Sequence, residues 1–188
     1  MSSLDTDARR LLLTLARSAI AAWLNDQSLP AMPDIALLQQ RRGAFVTLFR
    51  NGELRGCIGQ PEPLHRLGEV IIWCAVAAAT RDPRFPPLTP QELPEIELEI
   101  SLLSPLVPVR PQEVIIGRHG ILVSRDGRHG LLLPQVAAER AWTAERFLCE
   151  ACRKAGLDPQ AWRDPQTRLH AFTAEVFREG ELALLEQR

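Results

Sequence analysis

Cysteine is scarce and irregularly placed in this 188-residue chain, which has only Cys57, Cys74, Cys149 and Cys152. That excludes a disulfide-stapled secreted scaffold, and the thiols are expected to be reduced. Charge of one sign is lacking too. With 22 Lys and Arg against 23 Asp and Glu the net charge is −1, which argues against electrostatic capture by nucleic acid or an acidic membrane and leaves room only for a local patch. No apolar run is long enough to span a bilayer. The opening stretch MSSLDTDARRLLLTLARSAIAAWL has the outline of a leader, but Asp5, Asp7, Arg9, Arg10 and Arg17 interrupt it, so a cytoplasmic protein is expected. No P-loop or glycine-rich dinucleotide fingerprint is present, and no cofactor is evident. No repeat of about 20–50 residues signals a solenoid.

What is present is a composition that is 46% apolar and 24% charged, ordinary for one globular domain or two closely packed lobes. Ala8, Leu11, Leu12, Leu15, Ala19, Trp23 and Leu24 recur at helical spacing behind an N-cap at Asp5 or Thr6. A second helical stripe runs through Leu64, Leu67, Ile71, Cys74, Ala75 and Ala78, with Pro63 suited to its first turn. A third follows Thr143 as N-cap, buries Phe147, Leu148, Ala151, Cys152 and Ala155, and stops before Gly156. Cys149 and Cys152 form a C-x-x-C in mid-helix, with no second pair and no preceding strand, which disfavours zinc or thioredoxin-type use. EIELEISLL alternates as a half-buried strand, with Ile96, Leu98, Ile100 and Leu102 on one side. A short strand is expected in the EVII stretch, and one last strand from Leu169 to Phe177 before a polar end.

Two dipeptides predict hairpins: Asn51-Gly52 and Asp126-Gly127, both suited to two-residue type I′ turns. An uninterrupted first register pairs Arg50 with Glu53, Phe49 with Leu54, Thr47 with Gly56 and Val46 with Cys57. It places Phe45, Phe49, Leu54 and Ile58 on the core face, and Arg55 with Cys57 on the other. The second register pairs Ser124 with His129 and Leu122 with Leu131. Between helix and strand, RDPRFPPLTPQELP carries five prolines from Pro83 to Pro94 and reads as a rigid loop.

The segments LRGCIG, DPRFPPLTPQELPEIELEISLLSP, GRHGILV, GLLLPQVA and KAGL occur in that order, and together they resemble the AMMECR-type domain, called AmmeMemoRadiSam system protein A in microbes. The resemblance covers about Gly43 to Phe177. It implies an α+β fold of antiparallel sheets flanked by helices, with a larger lobe holding both termini and a smaller central lobe. It also implies a pathway shared with a Memo-like and a radical S-adenosylmethionine protein. The signature falls on Leu54, Arg55, Gly56, Cys57, Ile58 and Gly59, and a second polar element on His119 and Gly120. His129 lies outside the pattern.

Two readings of the signature stand. In the first, Cys57 is a nucleophile or thiol ligand, Arg55 binds an anion and favours the thiolate, and His119 is the base. Gly56 and Gly59 then let a substrate approach, with free N–H groups near Gly59 for an oxyanion if the strand ends there. Glu99 would orient a partner group or bind a cationic substrate. In the second, Cys57 is a small buried hydrophobe, His119 bonds to backbone at a turn, and the proline-rich loop with Arg81, Asp82, Arg84 and Phe85 docks a partner protein or small metabolite. No metal site follows from ligand spacing. The occupant expected in either reading is a small molecule or a protein.

Overall fold

A computed structural model of the chain describes residues 4–185. The elements run α1 (Thr6–Leu24), α2 (Ala36–Gln39), β1 (Ala44–Arg50), β2 (Glu53–Gln60), α3 (Leu67–Thr80) and β3 (Ile96–Leu103). These are followed by β4 (Val107–Pro108), β5 (Gly120–Arg125), β6 (Arg128–Leu132), α4 (Pro134–Glu139), α5 (Ala144–Lys154), β7 (Arg168–Phe172), β8 (Ala174–Arg178) and α6 (Glu179–Leu185). The strands form two four-stranded sheets, β2-β1-β3-β8 and β4-β7-β5-β6, and the chain is α+β. It divides into two compact units, one running to Leu102 and resuming at Glu175, the other spanning Leu103–Ala174.

In the first unit, α1 begins where the Asp5 carboxylate accepts the Ala8 N–H at 2.8 Å. Its buried stripe, including Leu12, Ala16 and Ile20, joins Ile71 and Cys74 of α3 and the inner sheet residues Val46, Leu48, Leu98 and Ile100 in one core. Burial of that apolar surface is the main force holding helices to sheet. The helix α3 starts at Leu67 rather than at Pro63: Arg66 is its N-cap, the Glu69 carboxylate takes the Arg66 N–H at 3.1 Å, and Leu64 stays 55% exposed.

In the second unit, α5 packs Phe147, Leu148, Ala151 and Cys152 against Ile121, Val123, Leu169 and Ala171. Its Thr143 cap and Gly156 stop are where the sequence puts them. The expected EVII strand is not formed: Pro111–Glu113 makes a short 3-10 turn, and the extra strand is Val107–Pro108, paired with Ala171 and His170. The expected single strand from Leu169 to Phe177 is two strands, broken at Thr173 and belonging to different sheets. The polar end after it starts as a helix, whose Leu182 joins the first core. Among the described residues no helix is long and apolar enough to cross a membrane.

The end of α4 is strained. Ala141 sits at φ 49°, while the Trp142 N–H reaches the Ala137 carbonyl at 2.9 Å and the Ala141 N–H the Ala138 carbonyl at 3.1 Å. This is the helix-ending arrangement that favours glycine at the left-handed position. Ala141 is exposed, so its methyl gains little from packing. Ala141→Gly is expected to stabilise the protein by about 1 kcal/mol in urea unfolding; a loss of stability would mean that the methyl packs after all.

Candidate functional site at the signature strand

The first hairpin turns at Asn51 and Gly52, both at positive φ, as the dipeptide predicts. Its register departs from the expected one after two pairs. Arg50 faces Glu53 and Phe49 faces Leu54, but Leu48 then faces Gly56, Thr47 faces Cys57, Val46 faces Ile58 and Phe45 faces Gly59. Arg55 is the extra residue of a β-bulge, and one extra residue reverses the facing of everything beyond it. The core face therefore carries Val46, Leu48 and Ile58, not Phe45 and Phe49. Cys57 lies on the face of Phe45, Thr47 and Phe49, where Thr47 also faces Glu99 of β3.

Arg55 and Cys57 go to different partners. The Arg55 guanidinium bonds both Glu92 carboxylate oxygens, at 3.1 and 3.3 Å, and the Pro86 carbonyl at 2.9 Å. Glu92 is also bonded by the Thr89 N–H and hydroxyl, each at 3.0 Å, and by Arg50 at 3.1 Å. Burial works to raise the Glu92 pKa, but the Thr89 and Arg55 hydrogen bonds prevail and hold it at about 2. In this way the bulge fixes the proline-rich loop from its far end.

Cys57 fixes the near end. Because β2 is an edge strand, the Cys57 N–H points away from β1, and it donates to Asp82 Oδ2 at 2.8 Å. Asp82 is 4% exposed. Its carboxylate accepts Arg84 Nε at 2.9 Å, Arg84 Nη2 at 2.6 Å and the Arg84 N–H at 3.1 Å. The Arg84 bonds foremost, with the Cys57 N–H, hold its carboxyl far below the usual range. The Cys57 thiol accepts the Thr47 hydroxyl at 3.3 Å. Burial pushes the thiol pKa up; Thr47 and Arg84 pull it down, and the nearby Asp82 and Glu99 carboxylates raise it further.

The two glycines are filled from both sides of the sheet. A Cβ on Gly56 would lie 2.2 Å from the Ala78 carbonyl oxygen of α3, and one on Gly59 would lie 2.1 Å from the Phe45 ring. The strand does not end at Gly59 but continues to Gln60. Glu99, 8% exposed, is hydrogen-bonded by Arg178, whose guanidinium also sits 4.1 Å from the centre of the Phe49 ring. His119 belongs to the second unit. There its Nδ1 accepts the Ile115 N–H at 3.2 Å and its own N–H reaches the Ile115 carbonyl at 2.9 Å, closing the turn before β5.

Of the residues singled out from sequence, Cys57 and Arg84 meet at Asp82, Arg55 goes instead to Glu92 and Pro86 at the other end of the loop, Gly56 and Gly59 pack against Ala78 and Phe45, Glu99 lies across Thr47 from Cys57, and His119 has its own local bonds. Asp82, which the sequence offers only as part of the docking loop, and Thr47 and Arg178, which it does not offer, complete the arrangement. Asp82 had a signal: an Asp directly before Pro favours a side-chain-closed turn, here the bond from the Arg84 N–H. Among the described residues no three His, Cys, Asp or Glu side chains converge to hold a metal.

The AMMECR1 family model matches residues 13–177. The chain belongs to the AMMECR1 family. It is 45% identical to a protein of Methanothermobacter thermautotrophicus over 94% of this chain and 96% of that one. To protein MK0488 of Methanopyrus kandleri it is 44% identical, over 95% of this chain and 91% of that one. Among solved structures, the crystal structure of the uncharacterized protein PH0010 from Pyrococcus horikoshii is similar with a TM-score of 0.81 at 41% identity, over 90% of each chain. These names assign no reaction to the AMMECR1 family signature.

Proposed function

We propose that the signature strand of this AMMECR1 protein is a brace for a recognition loop, and that the unit carrying it acts as a binding module rather than through a nucleophilic thiol. The observation that carries this reading is the Asp82 carboxylate, buried and shared between the Cys57 N–H and the Arg84 guanidinium. With Arg55 on Glu92 and Pro86, it ties both ends of the proline-rich loop to β2. The loop holds Arg84, its side chain 54% exposed, beside the Phe85 ring. Asp82 takes Arg84 Nε and Nη2, which leaves the Nη1 edge and the Phe85 ring to meet an acceptor group on a small molecule or partner protein. In a pathway shared with Memo-like and radical S-adenosylmethionine proteins, the module would hold a substrate or partner for chemistry done elsewhere.

A thiol kept protonated by burial and two carboxylates supports the same reading, because the thiolate is the reactive form. Iodoacetamide labelling of Cys57, followed by mass spectrometry against pH, is expected to rise only above the ordinary thiol pKa of about 8.5. Cys57→Ser is expected to fold and to complement a deletion strain. Fast labelling near neutral pH, or a folded Cys57→Ser protein without function, would return the thiol to the role of nucleophile.

A further inference from the structure

The near-neutral chain hides a separation of charge. Residues 103–174 hold ten Lys and Arg against seven Asp and Glu, a net +3, leaving twelve against sixteen, −4, for the rest. Four of those ten cations, Arg140, Arg146, Arg153 and Lys154, line a single groove of about 500 Å³ beside α4 and α5. Lys154 is the one lysine in the whole chain. Glu150 is the groove's sole carboxylate, and its Oε1 is shared by Arg146 at 2.7 Å and Arg153 at 2.5 Å. Among the described residues Arg140 has no carboxylate partner; its guanidinium lies 5.3 Å from the centre of the Trp142 ring, and that of Arg146 lies 5.9 Å from it.

Helical spacing explains how the groove arises. Phe147, Leu148 and Ala151 turn one side of α5 into the core, so Arg146, Glu150 and Arg153 fall on the other. A solvated helix face ordinarily matches its charges in i,i+4 pairs. Here the groove's one acid is taken up by Arg146 and Arg153, and Arg140 lies on the indole instead, over a floor of Leu132, Val136 and Trp142 that packs on the core at one edge.

We propose that this groove docks an acidic peptide segment of a partner protein, its carboxylates against the arginines and an apolar side chain on the floor. Charge complementarity selects the sign of the occupant, and guanidinium forks suit carboxylates in pairs. The floor selects against nucleic acid: an apolar surface wants an aliphatic side chain, and a stacking base would compete with two guanidinia already over the indole. The site lies outside the signature strand, so its failure leaves the loop-bracing reading intact.

The test is calorimetric titration of the full chain with an acetylated, amidated peptide of about twelve residues, glutamates with leucines at helical spacing. Binding is expected to weaken at least tenfold between about 50 and about 300 mM NaCl. Arg140→Glu, at an exposed position, should weaken it about tenfold while leaving circular dichroism unchanged. Replacing the leucines by serine should weaken it similarly. The proposal is overturned if the peptide does not bind, if Arg140→Glu or the serine peptide binds equally well, or if oligouridylate of the same length displaces the peptide.

Discussion

Gly56→Ala is expected to destabilise the protein by about 3 kcal/mol or more, enough to unfold a marginally stable domain. The new Cβ would stand 2.2 Å from the Ala78 carbonyl oxygen, roughly 1 Å inside van der Waals contact. The obstacle is backbone, so no side chain can rotate away. Ala78 and its neighbours Ala75 and Ala79 are buried on α3, and their small side chains let that helix settle close to the strand. To admit a methyl, β2 must move off α3, opening gaps beside Leu48 and Ile58 in a close-packed core. Gly52→Ala is the control: nothing lies within 4 Å of its Cβ, and only its φ of +80° opposes the change, a cost of about 1 kcal/mol. Urea unfolding of both variants decides the matter. If Gly56→Ala loses no more than Gly52→Ala, the close approach of helix and strand is not needed for the fold.

That close approach shows where the sequence is readable and where it is not. Turn chemistry is local, so Asn51-Gly52 and Asp126-Gly127 locate both hairpins, and the second register, Ser124 with His129 and Leu122 with Leu131, holds throughout. Helix periodicity and caps likewise locate α1 and α5. The first register fails at Arg55 because a bulge answers to what both faces must pack against. Phe45, Val46, Leu48 and Phe49 are all apolar, so alternation alone cannot choose the inner face. Pairing Val46 with Ile58 is what sets both against the same helices. The run from Leu169 to Phe177 fails similarly, since the break at Thr173 comes from which sheet each half joins. At the site, the residue types were legible and their partners were not. Arg55 beside Cys57 in sequence suggested a cation for a thiolate, whereas the bulge sends Arg55 to Glu92, and Asp82 comes to Cys57 across a 25-residue separation.

Replacing Asp82 should release the loop that this carboxylate holds. Removing one member of a buried charged pair costs about 3–5 kcal/mol. Arg84 is 54% exposed and can turn to water, so Asp82→Ala is placed at the lower end, about 3 kcal/mol. Asp82→Asn keeps one acceptor for the Cys57 N–H but loses the doubly bonded guanidinium, and about half that loss is expected. The local effect is more specific than the global one: trypsin should cut after Arg84 faster in Asp82→Ala at temperatures where the rest of the chain stays folded. Acid should mimic the substitution. A carboxyl held below its unfolded value contributes stability at pH above that value, about 4, and the contribution fades as pH falls towards the folded value. Asp82 is held far down and Glu92 at about 2, so the loop brace is complete at neutral pH and weakens below about pH 4. Asp82→Asn should therefore flatten the loss of stability between about pH 4 and about pH 2 relative to the parent. An equally steep loss in both proteins would show that the acid sensitivity lies in other carboxylates, and unchanged trypsin cleavage in Asp82→Ala would show that the loop is held without Asp82.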